Sequence, residues 1–412
     1  MSPGLALARV ARRASWLVNA TASTSASSAR SFSSVGDRDA PPLAYELIEP
    51  PESTSPSEAA SAPLAIVLHG LMGSGRNWRT FTRALSRRVA DEGVPWRFAL
   101  VDNLWHGRTF SDAALREKRH PVGPFQSAKR PDAPCAVDLA ADAVAAVAEH
   151  IRAHTTGINA RAVPPGFPPA AAVIGHSLGG KIALRALAKQ KKAAAKEKAY
   201  DEKARASTND VDRLSSNERP PPPHALCWTL DTVPAGVASA SDPHGVRRVL
   251  DAVASLPREF ASRDALRLAL ASSNEKKASF PRDLVDWLGT NLAPVDARLG
   301  SSSPLRWVFD IQGVAALYDA YEREDEEALA ACVDPPPSHE TRVVRAARSE
   351  RWDDGVVRAL ESASAAPGAR VRFHVLRDAG HWLHVDNPDG LRALIAPELV
   401  RLGKELREYG ES

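Results

Sequence analysis

The sequence predicts an α/β fold in which a mostly parallel sheet is flanked by helices. Three observations favour this class: short apolar runs of strand length, amphipathic helical patterns between them, and a glycine–serine–glycine turn where one run meets a helix. Parallel strands need long crossover connections, which are usually helices, so this alternation is typical of the class.

Six apolar segments are predicted to be strands of the central sheet, because each is short and follows or precedes a helical or turn-rich stretch. They are Leu64–Leu68, Arg97–Val101, Ala170–Ile174, Ala225–Leu230, Arg342–Ala346 and Val371–Leu376. A further short strand is predicted at Leu43–Ile48. Helices are predicted over Ala136–His150, after Ser177, and in a closing segment from Leu391 to Leu406.

The stretch between the fourth and fifth strands, about residues 232–340, shows helical periodicity and no clear strand pattern. We expect it to form a helical lid over the strand ends. Residues 63–408 would then be one domain, and the Lys/Ala/Glu-rich segment 189–223 a solvated low-complexity insertion whose early part could extend the preceding helix. Two proline-punctuated loops, 118–134 and 155–169, are further additions.

The N-terminal residues 1–34 resemble an organelle transit peptide, because they hold four arginines, many small and hydroxyl residues and no acid. We predict a mitochondrial address, with a chloroplast address or a disordered tail as alternatives. Residues 35–62 are predicted to be a mostly polar linker. Without the four arginines the formal net charge of +3 becomes −1, so the basic balance reports targeting and does not indicate a nucleic-acid partner.

The composition excludes several classes of protein. Of the 412 residues, 44% are hydrophobic and 25% charged, as in an ordinary globular chain, and no apolar run is long enough for a transmembrane helix. Three cysteines in no CxxC pair argue against a disulfide framework or a zinc site. No metal or organic cofactor is predicted.

A candidate nucleophile is Ser177, in the sequence Gly175-His176-Ser177-Leu178-Gly179. Glycines two positions before and after a serine permit the sharp strand-to-helix turn that presents its hydroxyl above the sheet. A helix-capping serine in a glycine turn is the structural alternative.

A serine hydroxyl needs a base to take its proton, and a histidine after the last strand is expected in this chain order. His381 follows Gly380 in that loop, and we prefer it to His384. The oxyanion hole is assigned to the backbone N–H groups of Leu178, after the nucleophile, and Leu71, after the first core strand. His69 is expected to brace that loop.

The third member of a triad would be an acid that holds the imidazole. Asp231 ends the fourth strand, whereas the turn after the fifth strand, where the acid usually lies, offers Glu350 and, a turn later, Asp353. We prefer Asp231, since a strand-end carboxylate on the active face can hold the second imidazole nitrogen equally well.

With these motifs the chain resembles the alpha/beta hydrolase superfamily, and in particular the serine-hydrolase branch that contains alpha/beta hydrolase domain-containing protein eleven and its bacterial esterase relatives. The resemblance covers residues 64 to about 405, apart from the insertions. It implies an eight-stranded core, a small helical lid, acyl-ester hydrolysis, and an aspartate at the Asp231 position. The motifs are His69-Gly70-Leu71-Met72-Gly73-Ser74, Val101-Asp102-Asn103, His106-Gly107-Arg108-Thr109, Gly175-His176-Ser177-Leu178-Gly179-Gly180-Lys181, Asp231 with Val233-Pro234, and Gly380-His381-Trp382-Leu383-His384.

The predicted function is hydrolysis of a small-molecule carboxylic ester or thioester through an acyl-enzyme. An acyltransferase or a carbon–carbon lyase on the same scaffold is the enzymatic alternative, because fold and triad do not fix the reaction. A catalytically weak binding protein that keeps the serine turn is the non-enzymatic one.

Overall fold

A computed structural model describes residues 41–111, 135–154, 169–207, 223–236, 245–272, 280–323 and 326–411. The predicted transit peptide, the loop 118–134 and nearly all of the loop 155–169 lie outside these residues. The described chain divides into two compact units, one formed by Pro41–Leu250 with Val308–Ser412 and one that contains Asp251–Trp307.

The larger unit is built on a seven-stranded sheet, which confirms the predicted fold class. The strand order is β1-β3-β2-β4-β5-β9-β10, and every neighbouring pair is parallel except β1 with β3. Among the described residues this is one strand fewer than the eight that the family resemblance implies. The strands are β1 Tyr45–Ile48, β2 Leu64–Leu68, β3 Arg97–Val101, β4 Ala172–His176, β5 Ala225–Leu230, β9 His339–Ala346 and β10 Val371–Leu376.

The strand bounds agree closely with the apolar runs. Four of the six predicted core strands have the predicted limits, while β4 lies two residues later and β9 begins three residues earlier than expected. Every residue of β2, β3 and β5 is buried, because helices cover both faces of the sheet. Because these strands are parallel, their carboxyl ends lie at the same edge of the sheet. Ser177 follows β4 at this edge, and Asp231 follows β5.

Helices connect the strands and close the fold. The closing helix packs a buried apolar face that includes Leu391, Ile395 and Leu399, and the Trp96 indole donates to the Leu399 carbonyl at 3.2 Å. The helices are α1 Pro56–Ser61, α2 Arg79–Asp91, α3 Gly107–Ser111, α4 Ala136–His154, α5 Leu178–Ser207, α6 Val246–Ser255, α7 Arg263–Ser272, α8 Arg282–Thr290, α9 Ile311–Glu322, α10 Glu326–Val333, α11 Asp354–Ala365, α12 Leu383–Asp386 and α13 Pro388–Glu411.

The predicted linker 35–62 contains regular structure in its described part. It holds both β1 and the short helix α1, which begins with a capping box in which Ser55 and Glu58 satisfy each other's backbone N–H groups. The polar residues that suggested a linker include Ser55 and Glu58, which form the start of this helix.

The low-complexity segment 189–223 begins as a continuation of α5, which extends to Ser207. Three lysines of this helix form ion pairs: Lys189 with Asp142, Lys191 with Asp334 and Lys192 with Glu327. Residues 208–222 lie outside the described part. Of the helices that the structure describes, none is long and apolar enough to cross a membrane.

The smaller unit contains short strands in the stretch 232–340, where the sequence shows no clear strand pattern. It contains a three-stranded antiparallel sheet in the order β6-β8-β7, formed by Glu259–Phe260, Leu305–Trp307 and Leu292–Pro294. Strands of two or three residues are too short to show an alternating pattern, so the helical periodicity of their neighbours hid them. The lid position itself stays a prediction.

We expect Leu399→Ala to lower the free energy of unfolding by about 2–5 kcal/mol, because it removes a fully buried side chain and leaves a cavity. Leu299→Ala is the matched control, since Leu299 is 57% exposed and its loss should cost less than about 0.5 kcal/mol. Chemical denaturation measures both, and equal losses would contradict the described packing.

Candidate active site

Ser177 lies in a sharp turn between β4 and α5, as the sequence predicts. Its φ angle is +52°, in the left-handed region that non-glycine residues rarely adopt. A Cβ on Gly175 would lie 2.4 Å from the Gly179 carbonyl oxygen, and a Cβ on Gly179 would lie 2.5 Å from that of Leu68. Both positions therefore require glycine if the turn is to form.

His381 and Asp231 are in direct contact. The His381 Nδ1 donates to Asp231 Oδ2 over 2.7 Å, and the Asp231 side chain is fully buried. Asp231 follows β5 with a φ of +45°, so a second residue at this edge of the sheet is held in the left-handed region. The structure thus brings together the preferred base and the preferred acid.

Three more groups donate to the same carboxylate. Ser349 Oγ lies 2.9 Å from Oδ2, and Trp352 Nε1 and the Ala346 N–H lie 2.8 Å and 3.2 Å from Oδ1. Burial alone would raise the pKa of Asp231, but the bonds from His381, Trp352 and Ser349 outweigh it and lower the pKa to about 2. Asp231 is therefore ionised at neutral pH.

Neither alternative acid contacts His381. Glu350 is exposed, and exposed Asp353 accepts hydrogen bonds from the backbone of Gly355 and Val356 as the N-cap of α11. Two donors in this turn, Ser349 and Trp352, were not predicted from the sequence. No local sequence pattern marks these two residues as donors, because their partner Asp231 lies 118 and 121 residues away in the chain.

His384, the competing base, has a packing role. Its ring stacks on Trp78 with a centroid separation of 4.0 Å, and burial lowers the pKa of its imidazole to about 3. A second aromatic contact joins it to His176. The structure gives His384 no contact with a carboxylate among the described residues.

Two hydrogen bonds connect the serine turn to the segments that hold the other two groups. The Ser177 N–H donates to the Leu230 carbonyl at 3.0 Å, one residue before Asp231, and His176 Nε2 donates to the His381 carbonyl at 2.7 Å. Within the described residues, no hydrogen bond joins the Ser177 hydroxyl to His381. Such bonds between reacting groups often form only when a substrate is bound.

The two predicted oxyanion donors have N–H groups that no described protein acceptor takes. Leu178 is the first residue of α5, where the backbone N–H groups have no partner within the helix and the helix dipole favours negative charge. Leu71 lies in the loop after β2, and a Cβ on the preceding Gly70 would lie 3.4 Å from the Ser177 Cβ. The loop thus passes directly beside the serine.

Two buried histidines hold the loop that contains Leu71. His69 Nδ1 donates to the Gly70 carbonyl at 2.8 Å, and its Nε2 accepts from the Asn103 N–H at 3.0 Å. His106 Nδ1 donates to the Leu104 carbonyl, and its Nε2 accepts from the Met72 N–H at 3.0 Å.

Burial lowers the pKa of His69 to about 4 and that of His106 to about 3. Both rings are therefore neutral at neutral pH, as their mixed donor and acceptor bonds require. His69 braces the loop as expected. The bracing role of His106 was not predicted.

The imidazole of His381 has a lowered pKa. Burial is the largest cause and the positive charge of Arg351 is the next, while Asp231 and Asp386 act in the opposite direction. A neutral imidazole can accept a proton on its free nitrogen, so this environment favours the form that acts as a base.

No group of three or more His, Cys, Asp or Glu side chains is placed to hold a metal ion in the part of the chain that the structure describes. Cys227 and Cys332 are buried free thiols, and burial raises the pKa of Cys227 to about 12. They are packing residues of the larger unit.

The comparisons with known proteins agree with this architecture. Residues 65–394 match the family described as "Alpha/beta hydrolase family". The chain belongs to the alpha/beta hydrolase family. This membership supports a hydrolase, and the closer resemblance to one serine-hydrolase branch stays a prediction. No curated protein matches the chain by sequence.

Two similar solved structures are an esterase from a marine microorganism and the peroxisomal alpha-beta-hydrolase Lpx1 from Saccharomyces cerevisiae. The first is 17% identical with a TM-score of 0.50, and covers 87% of this chain and 99% of its own. The second is 14% identical with a TM-score of 0.51, and covers 88% of this chain and 82% of its own. At these identities the likeness shows the fold alone.

We expect Asp231→Asn to lower kcat for ester hydrolysis by about 10⁴-fold, because an amide at this position can leave the His381 imidazole in the wrong tautomer. Glu350→Gln is the matched control and should leave kcat nearly unchanged, since Glu350 is exposed. Steady-state kinetics of the two variants measures this. Loss of activity in Glu350→Gln alone would show that the acid has been misassigned.

Proposed function

We propose that this protein hydrolyses small-molecule carboxylic esters or thioesters through an acyl-enzyme on Ser177. The observation that carries the proposal is the contact of His381 with the buried, ionised Asp231 at the same sheet edge as the strained serine turn. A strained backbone, a buried charge and a neutral histidine in one place are costly for stability and typical of an active site.

The hydrogen bond to Asp231 fixes the proton of neutral His381 on Nδ1, because an ionised carboxylate can only accept. The His381 Nε2 is then the free base. It takes the proton of the Ser177 hydroxyl as the Ser177 Oγ attacks the acyl carbon, and it returns that proton to the leaving alcohol or thiol.

The attack places negative charge on the former carbonyl oxygen. The N–H groups of Leu71 and Leu178 stabilise it, and the bracing bonds of His69 and His106 keep the Leu71 loop in position before the substrate arrives. His381 next removes a proton from water, which attacks the acyl-enzyme. His381 returns this proton to the Ser177 Oγ as the bond between Oγ and the acyl carbon breaks, which releases the carboxylic acid and restores the Ser177 hydroxyl.

We expect the wild-type protein to form one covalent adduct with a fluorophosphonate, because this reagent phosphonylates an activated serine. Ser177→Ala should form none, while Ser302→Ala, which changes an exposed serine, should label like the wild type. Intact-protein mass spectrometry measures the adduct. A folded wild type that stays unlabelled, or a Ser177→Ala variant that is still labelled, would contradict the proposal.

The labelled protein should also release free acid from esters or thioesters in water without an acceptor alcohol. If the acyl group is instead transferred only when an acceptor is present, the protein is a transferase on the same scaffold.

A further inference from the structure

Arg351 lies in the turn after β9, between the two side chains that hold Asp231. Ser349 and Trp352 fix the turn from the inside, and the backbone N–H groups of Ala347 and Arg348 fix it through the carbonyls of Leu376 and Ala379. The backbone of Arg351 therefore lies beside the proposed triad, in a turn that these hydrogen bonds hold in place.

Arg351 is partly buried as a residue, and its guanidinium forms no ion pair or hydrogen bond with another residue in the part of the chain that the structure describes. Of the three other arginines in β9 and this turn, Arg345 also has no pairing partner among the described residues, whereas the other two are paired. Arg342 pairs with Glu340 and Glu398, and Arg348 pairs with Asp386. The guanidinium of Arg351 therefore keeps its N–H donors available for a ligand.

Neither carboxylate near His381 supplies that acceptor. Both oxygens of Asp231 receive hydrogen bonds from His381, Ser349, Trp352 and the Ala346 N–H. Asp386 accepts from the Gly380 N–H at 2.7 Å and from Arg348. Neither of these carboxylates therefore forms an ion pair with Arg351.

The charge of Arg351 reaches the proposed reaction centre. It is the largest cause after burial of the lowered pKa of His381, and it also acts on buried Tyr321, whose pKa burial raises and Arg351 lowers. His381 and Tyr321 belong to different elements, the loop after β10 and the helix α9. Together with the bonds from Ser349 and Trp352 to Asp231, this places Arg351 close to the acid and the base of the proposed triad.

We infer that Arg351 binds a carboxylate of the substrate, so that the preferred substrates are esters or thioesters that carry a second, free carboxylate group. The planar fork of a guanidinium matches a carboxylate through two parallel N–H···O bonds, and a fixed, partly desolvated site strengthens them. This inference rests on the proposed ester or thioester hydrolysis. It adds a recognition site to the triad and changes none of the bond-making steps.

The test compares matched ester pairs that differ in one carboxylate. 4-Nitrophenyl hydrogen adipate against 4-nitrophenyl hexanoate places the carboxylate on the acyl part, and 3-carboxyphenyl butyrate against phenyl butyrate places it on the alcohol part. The ratio of kcat/KM within each pair is measured on the alkaline plateau of the pH profile for wild type, Arg351→Gln, Arg351→Lys and Arg358→Gln.

For one of the two pairs we expect Arg351→Gln to lower the charged-to-neutral ratio about tenfold, mainly through KM, which is the scale of one charge-assisted contact. Arg351→Lys should keep part of the ratio, and added salt should reduce it in the wild type. Arg358→Gln removes the same charge from the exposed face of α11 and should leave the ratio unchanged.

An unchanged ratio in Arg351→Gln for both pairs, or an equal loss in Arg358→Gln, would overturn the inference while hydrolysis of the neutral esters still supports the proposed function. No hydrolysis of any ester by a wild type that also resists fluorophosphonate labelling would overturn the proposed function itself. The two failures are therefore distinguishable.

Discussion

A carboxylate that is fully shielded from water must receive hydrogen bonds on both oxygens, and in this protein that requirement shapes the active edge of the sheet. Asp231 has no exposed surface, and its donors come from the end of β9, the turn that follows it and the loop after β10. Segments far apart in the chain must all be in place before the charge is satisfied. Removing one donor would leave a buried acceptor unmet, which costs about 1–3 kcal/mol.

The same constraint links stability to pH. The folded-state pKa of Asp231, about 2, lies below the unfolded value of about 4. The ionised carboxylate therefore stabilises the fold above the unfolded pKa, and this contribution is lost as the pH falls through the folded one. The network that orients His381 is thus itself a part of the folding energy at neutral pH.

The opposite side of the site relies on neutral groups. His69 and His106 each combine one donor and one acceptor bond, which only an uncharged imidazole can do, and together they fix the loop that contains Leu71. Because these two histidines are uncharged, the positive potential that an oxyanion would meet comes from the N-terminal end of α5 and from the N–H groups of Leu71 and Leu178.

Much of the architecture could be predicted from the sequence, because strands in a covered parallel sheet are continuous apolar runs and the serine turn needs glycines at fixed positions. Ser177, Asp231 and His381 could be named because each follows a strand at the carboxyl edge. Ser349 and Trp352 could not be named, since their role depends on a hydrogen bond to Asp231, which lies more than one hundred residues away in the chain. The short strands of the smaller unit were not predicted, because two or three residues are too few to show the alternating pattern of a strand.

The central claim, that Asp231 fixes the proton of His381 on Nδ1, is tested most directly by ¹⁵N–¹H NMR of the histidine side chains. We expect the neutral His381 of the wild type to carry its proton on Nδ1, with a strongly downfield proton signal that disappears in Asp231→Asn. A proton on Nε2 in the wild type, or an Nδ1 signal that persists unchanged in Asp231→Asn, would contradict the account.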